Sequence, residues 1–155
     1  MKAVSDTSPL VFLAKLGYLD NLKKIFHRLY IPPAVYNELS AKKNDVQRAV
    51  ETLREGSFIA VKEAGEHLLR LTTLHTGEME AIALAKRLDC WIMVDDAKAR
   101  ALANREGLKV IGTVGLLNVM MKRGQIKETP ETLFEKLQSY KFQMRKEVFL
   151  DILRD

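Results

Sequence analysis

Trp91-Ile92-Met93-Val94, followed at once by Asp95-Asp96, is the stretch that decides the fold. Four consecutive apolar residues show no polar alternation, so neither face of this strand meets water. A helical pattern rich in Ala and Leu, from Gly77 to about Leu88, precedes it, and another from Ala97 to Arg105 follows. Gly107 closes that second helix, and Lys109-Val110-Ile111 reads as the next strand. A doubly buried strand between two helices belongs in a parallel sheet covered on both sides.

The same alternation extends to both ends of the chain. Lys2-Ala3-Val4-Ser5 reads as a first strand. Ser8-Pro9 reads as a helix start, with Ser8 as N-cap and Pro9 at the first helical position, and Gly17 ends that helix. A further helical piece carries Leu19, Leu22 and Phe26; Leu29-Tyr30-Ile31 is a strand, and Pro32-Pro33 opens a helix to Leu39. A helix through Val46, Val50 and Leu53, a strand Phe58 to Val61 and a helix near Glu66 to Leu71 follow. After Thr113 the pattern is helical, with a new start at Thr129-Pro130 and a closing helix from Lys141. The expected architecture is α/β: a three-layer sandwich with a mostly parallel sheet of about five strands. One domain is expected over residues 1–155, with 125–155 as a C-terminal helical extension.

The 155 residues, 47% of them apolar, suffice for a core without disulfides or metal staples. The single cysteine, Cys90, permits no intrachain disulfide and reads as a small apolar residue, so a reducing cytoplasm is the expected compartment. No apolar run approaches the roughly 18 residues of a membrane span. Ser5 to Ser8 interrupt the opening apolar stretch, which therefore does not read as a signal peptide. A net charge of +5 is compatible with polyanions such as RNA or DNA, and does not by itself demand them.

Ligands of open α/β sheets bind outside the carboxyl ends of the strands. Asp6 stands after the first strand, and Asp95 and Asp96 stand after the fourth. Two glutamates lie on apolar helical stripes: Glu38, three residues after Val35, and Glu78, four before Ile82. Glu80 lies about 200° around the helix from Glu78, so only one of the two faces inward, and Glu78 fits better. Carboxylates that converge repel one another unless a cation or protons intervene. Hard divalent cations such as Mg²⁺ or Mn²⁺ select oxygen donors of this kind and suit phosphodiester hydrolysis. Asp95 and Asp96 would equally serve as helix caps, and Glu78 would favour a helix N-terminus.

These segments resemble the motifs of PIN-domain nucleases, in their order and strand–helix context. Val4-Ser5-Asp6-Thr7-Ser8-Pro9-Leu10 is similar to the opening motif, and Pro32 to Leu39 to the second, with its inward Glu38. Gly77 to Ala85 resembles the third and Met93-Val94-Asp95-Asp96 the fourth, while Gly107 to Gly115 is similar to the segment that follows in one prokaryotic branch. The resemblance covers roughly residues 2–125. It implies metal-dependent endoribonuclease activity, with Asp6, Glu38, Glu78 and Asp95 as catalytic and metal-binding acids, Asp96 assisting or replacing Asp95, and Glu80 competing with Glu78 according to register. Many family members have Asp where Glu78 stands. The resemblance also implies Mg²⁺ or Mn²⁺, RNA as substrate, a homodimer, and an antitoxin protein as partner if the chain is of the VapC toxin type. Thr7 and Ser8 are candidates to hydrogen-bond an acid, a water or a phosphate, and together with Lys98 and Arg100 they are the candidate substrate-binding residues.

The remaining residues are less telling. His27, His67 and His75 show no paired ligand spacing and read as structural or surface residues. Tyr140 to Lys146 interleaves aromatic and basic residues, which suits either an amphipathic closing helix or a grip on RNA. Two other readings stand beside the nuclease. One is a catalytically inactive PIN-like module that binds RNA or protein. The other is a phosphate-transfer or receiver-like domain, for which Ser8 and the late Asp95-Asp96 pair are ill placed.

Overall fold

The computed structural model describes residues 1–65 and 75–154. The helix expected near Glu66 to Leu71, and His67 with it, lie outside the described residues. Five strands form one sheet: β1 (Lys2–Ser5), β2 (Arg28–Ile31), β3 (Ile59–Val61), β4 (Trp91–Met93) and β5 (Val110–Ile111). Their spatial order is β3-β2-β1-β4-β5, and every adjacent pair is parallel. The mostly parallel sheet of the sequence reading is therefore wholly parallel among the described residues. The helices are α1 (Thr7–Leu16), α2 (Pro33–Ala41), α3 (Asp45–Glu55), α4 (Thr76–Leu88), α5 (Ala97–Arg105), α6 (Thr113–Lys122), α7 (Pro130–Ser139) and α8 (Lys146–Arg154), and a 3-10 turn spans Leu19–Lys24.

Side chains alternate across a strand, so each strand feeds two cores. In β4, Met93 joins the core beneath α1, α3 and α6, whereas Ile92 and the following Val94 join the core beneath α4 and α5. In β1, Ala3 goes to the first core and Val4 to the second. This is the three-layer sandwich, and it explains why β4 tolerates no polar residue. The second core is lined by Ala81, Ala83, Ala85, Ala99 and Ala103. Small side chains there let α4 and α5 approach the sheet and each other closely.

The C-terminal helices share the first core. Leu133, Leu137 and Phe149 are wholly buried in it, and the rings of Phe134 and Phe149 meet at 5.2 Å. Helices α7 and α8 thus pack against the first core.

Two expected boundaries shift. Helix α1 begins at Thr7 with Asp6 as its N-cap, not at Pro9 with Ser8 as N-cap. Its far end is as expected: Gly17 takes φ 84° and returns its N–H to Leu13 and Ala14. The closing helix starts at Lys146 rather than Lys141, because Lys141 adopts a left-handed φ of 66° that a helix cannot accommodate. No helix among the described residues is long and apolar enough to cross a membrane.

Replacing Phe149 by Ala removes a wholly buried ring from this shared core and is expected to cost roughly 3–5 kcal/mol. Urea denaturation checks this. A loss under about 1 kcal/mol would mean that the C-terminal helices add nothing to the core.

Candidate functional site

Each helix that follows a parallel strand starts at the carboxyl edge of the sheet, and the acids are found at those starts. Asp6 is the N-cap of α1, and Glu78 is the third residue of α4. Asp96 is the N-cap of α5, where its Oδ2 accepts the Ala99 N–H at 2.9 Å. Asp95 reaches the start of α6, where its Oδ1 accepts the Thr113 N–H at 2.7 Å. The positive ends of four helix dipoles therefore face four carboxylates.

Two adjoining hollows open here and share Asp6 and Glu78 in their walls. The larger, about 740 Å³, also meets Asp95, Asp96 and Arg100. The smaller, about 280 Å³, meets Glu38, Thr7 and His75. Glu38 is exposed, not buried as its helical stripe suggested; its Oε2 accepts the Thr7 hydroxyl at 2.8 Å. It stands at the rim of the smaller hollow, so the stripe it shares with Val35 points partly into open space. Gly77 marks how near Glu38 and Asp6 come: a Cβ there would lie 3.6 Å from Glu38 Oε2 and 3.7 Å from Asp6 Oδ1.

Asp95 is the most tightly held of the acids. Besides the Thr113 N–H on Oδ1, its Oδ2 accepts the hydroxyls of Ser8 and Thr113, both at 2.7 Å. Ser8 is not the N-cap of α1; its hydroxyl bonds an acid, one of the roles expected of it, and ties α1 to the end of β4. Thr113 is wholly buried and was not singled out in the sequence. Its only local signal is a threonine at the start of a helix after a strand. Gly112 is required by close approach: a Cβ there would come within 2.9 Å of Asp95 Oδ1 and 3.3 Å of the Val94 carbonyl.

Asp6 differs in kind. It is buried, and its side chain makes no capping hydrogen bond to α1. Burial, and then repulsion from Glu78, Glu38 and Asp95, push its pKa from 3.8 up to about 7, against the opposing Thr7 N–H. Glu78 is also raised, mainly by burial and further by Asp96 and Glu38, although the His75 N–H that its Oε1 accepts at 3.2 Å opposes this. Asp6 thus sits in a field that a cation or a proton would relieve, and the surrounding donors are hard oxygens, as Mg²⁺ or Mn²⁺ requires. Among the described residues, however, no three His, Cys, Asp or Glu side chains converge closely enough to hold a metal ion as they stand.

The other candidates divide. Arg100 lines the larger hollow, whereas Lys98, exposed on the same helix, lines neither. Glu80 lines neither, which leaves Glu78 as the inward member of that pair. Cys90 is half-buried at the opposite edge of the sheet, with burial raising its thiol pKa.

The sequence model of a family described as PIN domain matches residues 2–155. The chain belongs to the PIN-domain family. The match includes α7 and α8, beyond the roughly 2–125 over which the motifs were recognised. No curated protein matches the chain. Among solved structures, a chain of VapBC2 from Rickettsia felis, bound to a DNA fragment from their promoter, aligns with TM-score 0.51 and 13% identity over 72% of this chain and 98% of that one. A PilT N-terminus domain protein from the hyperthermophilic archaeon Sulfolobus solfataricus P2 aligns with TM-score 0.49 and 16% identity, over 83% and 97%. At such identities the likeness to VapBC2 is one of fold.

The raised pKa of Asp6 fixes the sign of a pH dependence in the metal-free PIN domain. The folded protein holds this proton up to about pH 7, whereas the unfolded chain releases it near 3.8. The contribution of Asp6 to stability is therefore greatest below the lower value and is lost as pH rises toward the upper one. In EDTA, Asp6→Asn is expected to melt at a higher temperature than wild type at pH 8, with the gap closing by pH 4. A constant gap across that range, read by calorimetry, would show that Asp6 is ionised throughout.

Proposed function

We propose that this PIN-domain protein is a metal-dependent endoribonuclease. The observation that carries the reading is Asp6. It is a buried carboxylate at the centre of an acidic hollow, repelled by three neighbouring acids, in a chain of net charge +5. Such a group is costly to keep charged without a cation beside it, and a buried, strongly perturbed acid in a cleft is the mark of a functional site.

Asp6 and Glu78 would hold Mg²⁺ or Mn²⁺, with Glu38, Asp95 and Asp96 completing the acidic set. A bound ion of this kind lowers the pKa of water and stabilises phosphoryl charge. Asp95 would act chiefly as a positioning residue, since its oxygens already accept three hydrogen bonds that lock the starts of α1 and α6. Arg100 would draw the substrate backbone toward the acids. Thr7 would orient Glu38 through its hydroxyl.

The same hollow suits a regulatory partner. VapBC2 is solved bound to promoter DNA, and a toxin–antitoxin arrangement is the corresponding proposal here. An antitoxin arginine entering the hollow would bind its carboxylates bidentately and exclude the cation. A homodimer and a cytoplasmic location belong to the same proposal.

The test is a cleavage assay on a varied pool of single-stranded RNAs. Cutting is expected with Mn²⁺ or Mg²⁺, not with EDTA, and should leave 5′-phosphate and 3′-hydroxyl ends. Asp6→Asn and Glu78→Gln should abolish it, while Glu80→Gln should not. Chelator-resistant cutting with cyclic phosphate ends would reject the mechanism. Absence of cutting, together with absence of divalent-ion binding by calorimetry, would leave an RNA- or protein-binding module.

A further inference from the structure

The larger hollow has a second wall that the acids do not explain. After α7 the chain turns sharply at Lys141, whose left-handed φ of 66° costs about 1 kcal/mol in a non-glycine residue. Residues 141–145 then run as an irregular strap before α8. The strap is fastened to α1 in two places. The Tyr140 hydroxyl donates to the Lys15 carbonyl at 3.3 Å, and the ring of Phe142 meets that of Phe12 edge-on at 4.9 Å. This holds Phe142, Met144 and Lys141 against the same hollow that Asp6 and Glu78 line, with Phe12 and Ile152 beside them.

We propose that this strap is a nucleobase subsite: it receives a base adjoining the phosphate that lies at the acids, while Arg100 and Lys141 take the flanking backbone. The inference deepens the nuclease reading and rests on it. The hollow, at about 740 Å³, is far larger than a phosphodiester group and exceeds the lower limit of about 300 Å³ for ligand pockets. Phe12 and Phe142 are only partly buried and line the cavity, so aromatic surface is open to it. Arg100 and Lys141 are exposed, and neither is in an ion pair among the described residues. A free phosphate would leave the aromatic wall unused. A purely apolar ligand would leave the charges unused. A single-stranded nucleotide presents a π-face and a negative backbone together, and its base is free to leave its neighbours.

The test uses the full-length chain in the Asp6→Asn background with Mg²⁺, so that RNA stays intact. Fluorescein-labelled single-stranded RNA octamers are titrated by anisotropy, and thermal melts confirm folding. Phe142→Leu and Met144→Ala are expected to weaken binding roughly 5- to 50-fold, as loss of one stacked base would. Arg100→Gln should reduce the slope of log affinity against log salt by about 0.7, the value of one single-strand phosphate contact. Lys141→Asn, which keeps a residue tolerant of left-handed φ, should do the same. Lys127→Gln makes the same charge change at an exposed residue outside both hollows and should leave the slope unchanged. Wild-type affinity in every strap variant would overturn the subsite even where the cleavage assay succeeds. Equal effects of Arg100→Gln and Lys127→Gln would show general charge attraction and also overturn it. Strap variants that lose a co-purifying protein but keep octamer affinity would make the strap a protein-docking wall instead. Failure of the intact chain to bind any octamer would overturn the subsite together with the RNA reading.

Discussion

Burial of a carboxyl group among other acids at one edge of the sheet is the constraint to which the rest of the structure responds. A wholly parallel sheet starts its returning helices at the carboxyl edge, so the partial positive charge of several helix N-termini accumulates there. The acids occupy these starts: Asp6 before α1, Glu78 in the first turn of α4, Asp96 before α5, and Asp95 on the first N–H of α6. Topology thus supplies a field in which negative charge is tolerated. The field is insufficient for Asp6, whose buried carboxyl remains raised to about 7.

Helix capping and a catalytic role are usually weighed as rival explanations for an acid after a strand. Here capping is confined to some of the acids. Asp96 makes a true capping bond to Ala99, and Asp95 spends both oxygens on Ser8 and Thr113. Neither Asp6 oxygen caps α1, although Asp6 occupies the N-cap position. The acids that are held rigidly therefore frame the one whose charge is least settled. Gly112 belongs to this frame, because any side chain there would collide with the Asp95 carboxylate.

Much of this was legible in the sequence. Uninterrupted apolar strands and alternating helical patterns identify the sandwich, since burial on both faces leaves no room for polar alternation. The strand-end aspartates follow from the same logic. What escaped depends on contacts between distant segments. Ser8 followed by Pro9 carries a strong local helix-start signal, yet its hydroxyl is drawn to Asp95, and the helix begins earlier. Glu38 shares a helical stripe with buried Val35, but that stripe borders a hollow as well as the core, and periodicity cannot separate the two. Lys141 to Arg145 has the composition of a helix. Its path is set instead by Phe12, a residue near the other end of the chain.

The strand order β3-β2-β1-β4-β5 bears on how the protein is made. The first strand synthesised lies at the centre of the sheet, and one of its two neighbours, β4, is separated from it by α1, α2, α3 and α4. Ser8 waits for Asp95 across 87 positions, and Asp95 then waits for Thr113. A ribosome adding roughly 5–20 residues per second therefore spends seconds with half of the central strand's backbone unpaired. Throughout that interval Asp6 and Asp95 cannot be brought to the same edge of the sheet. The same interval leaves one edge of the four-residue β1 unpaired, where another chain could add a strand.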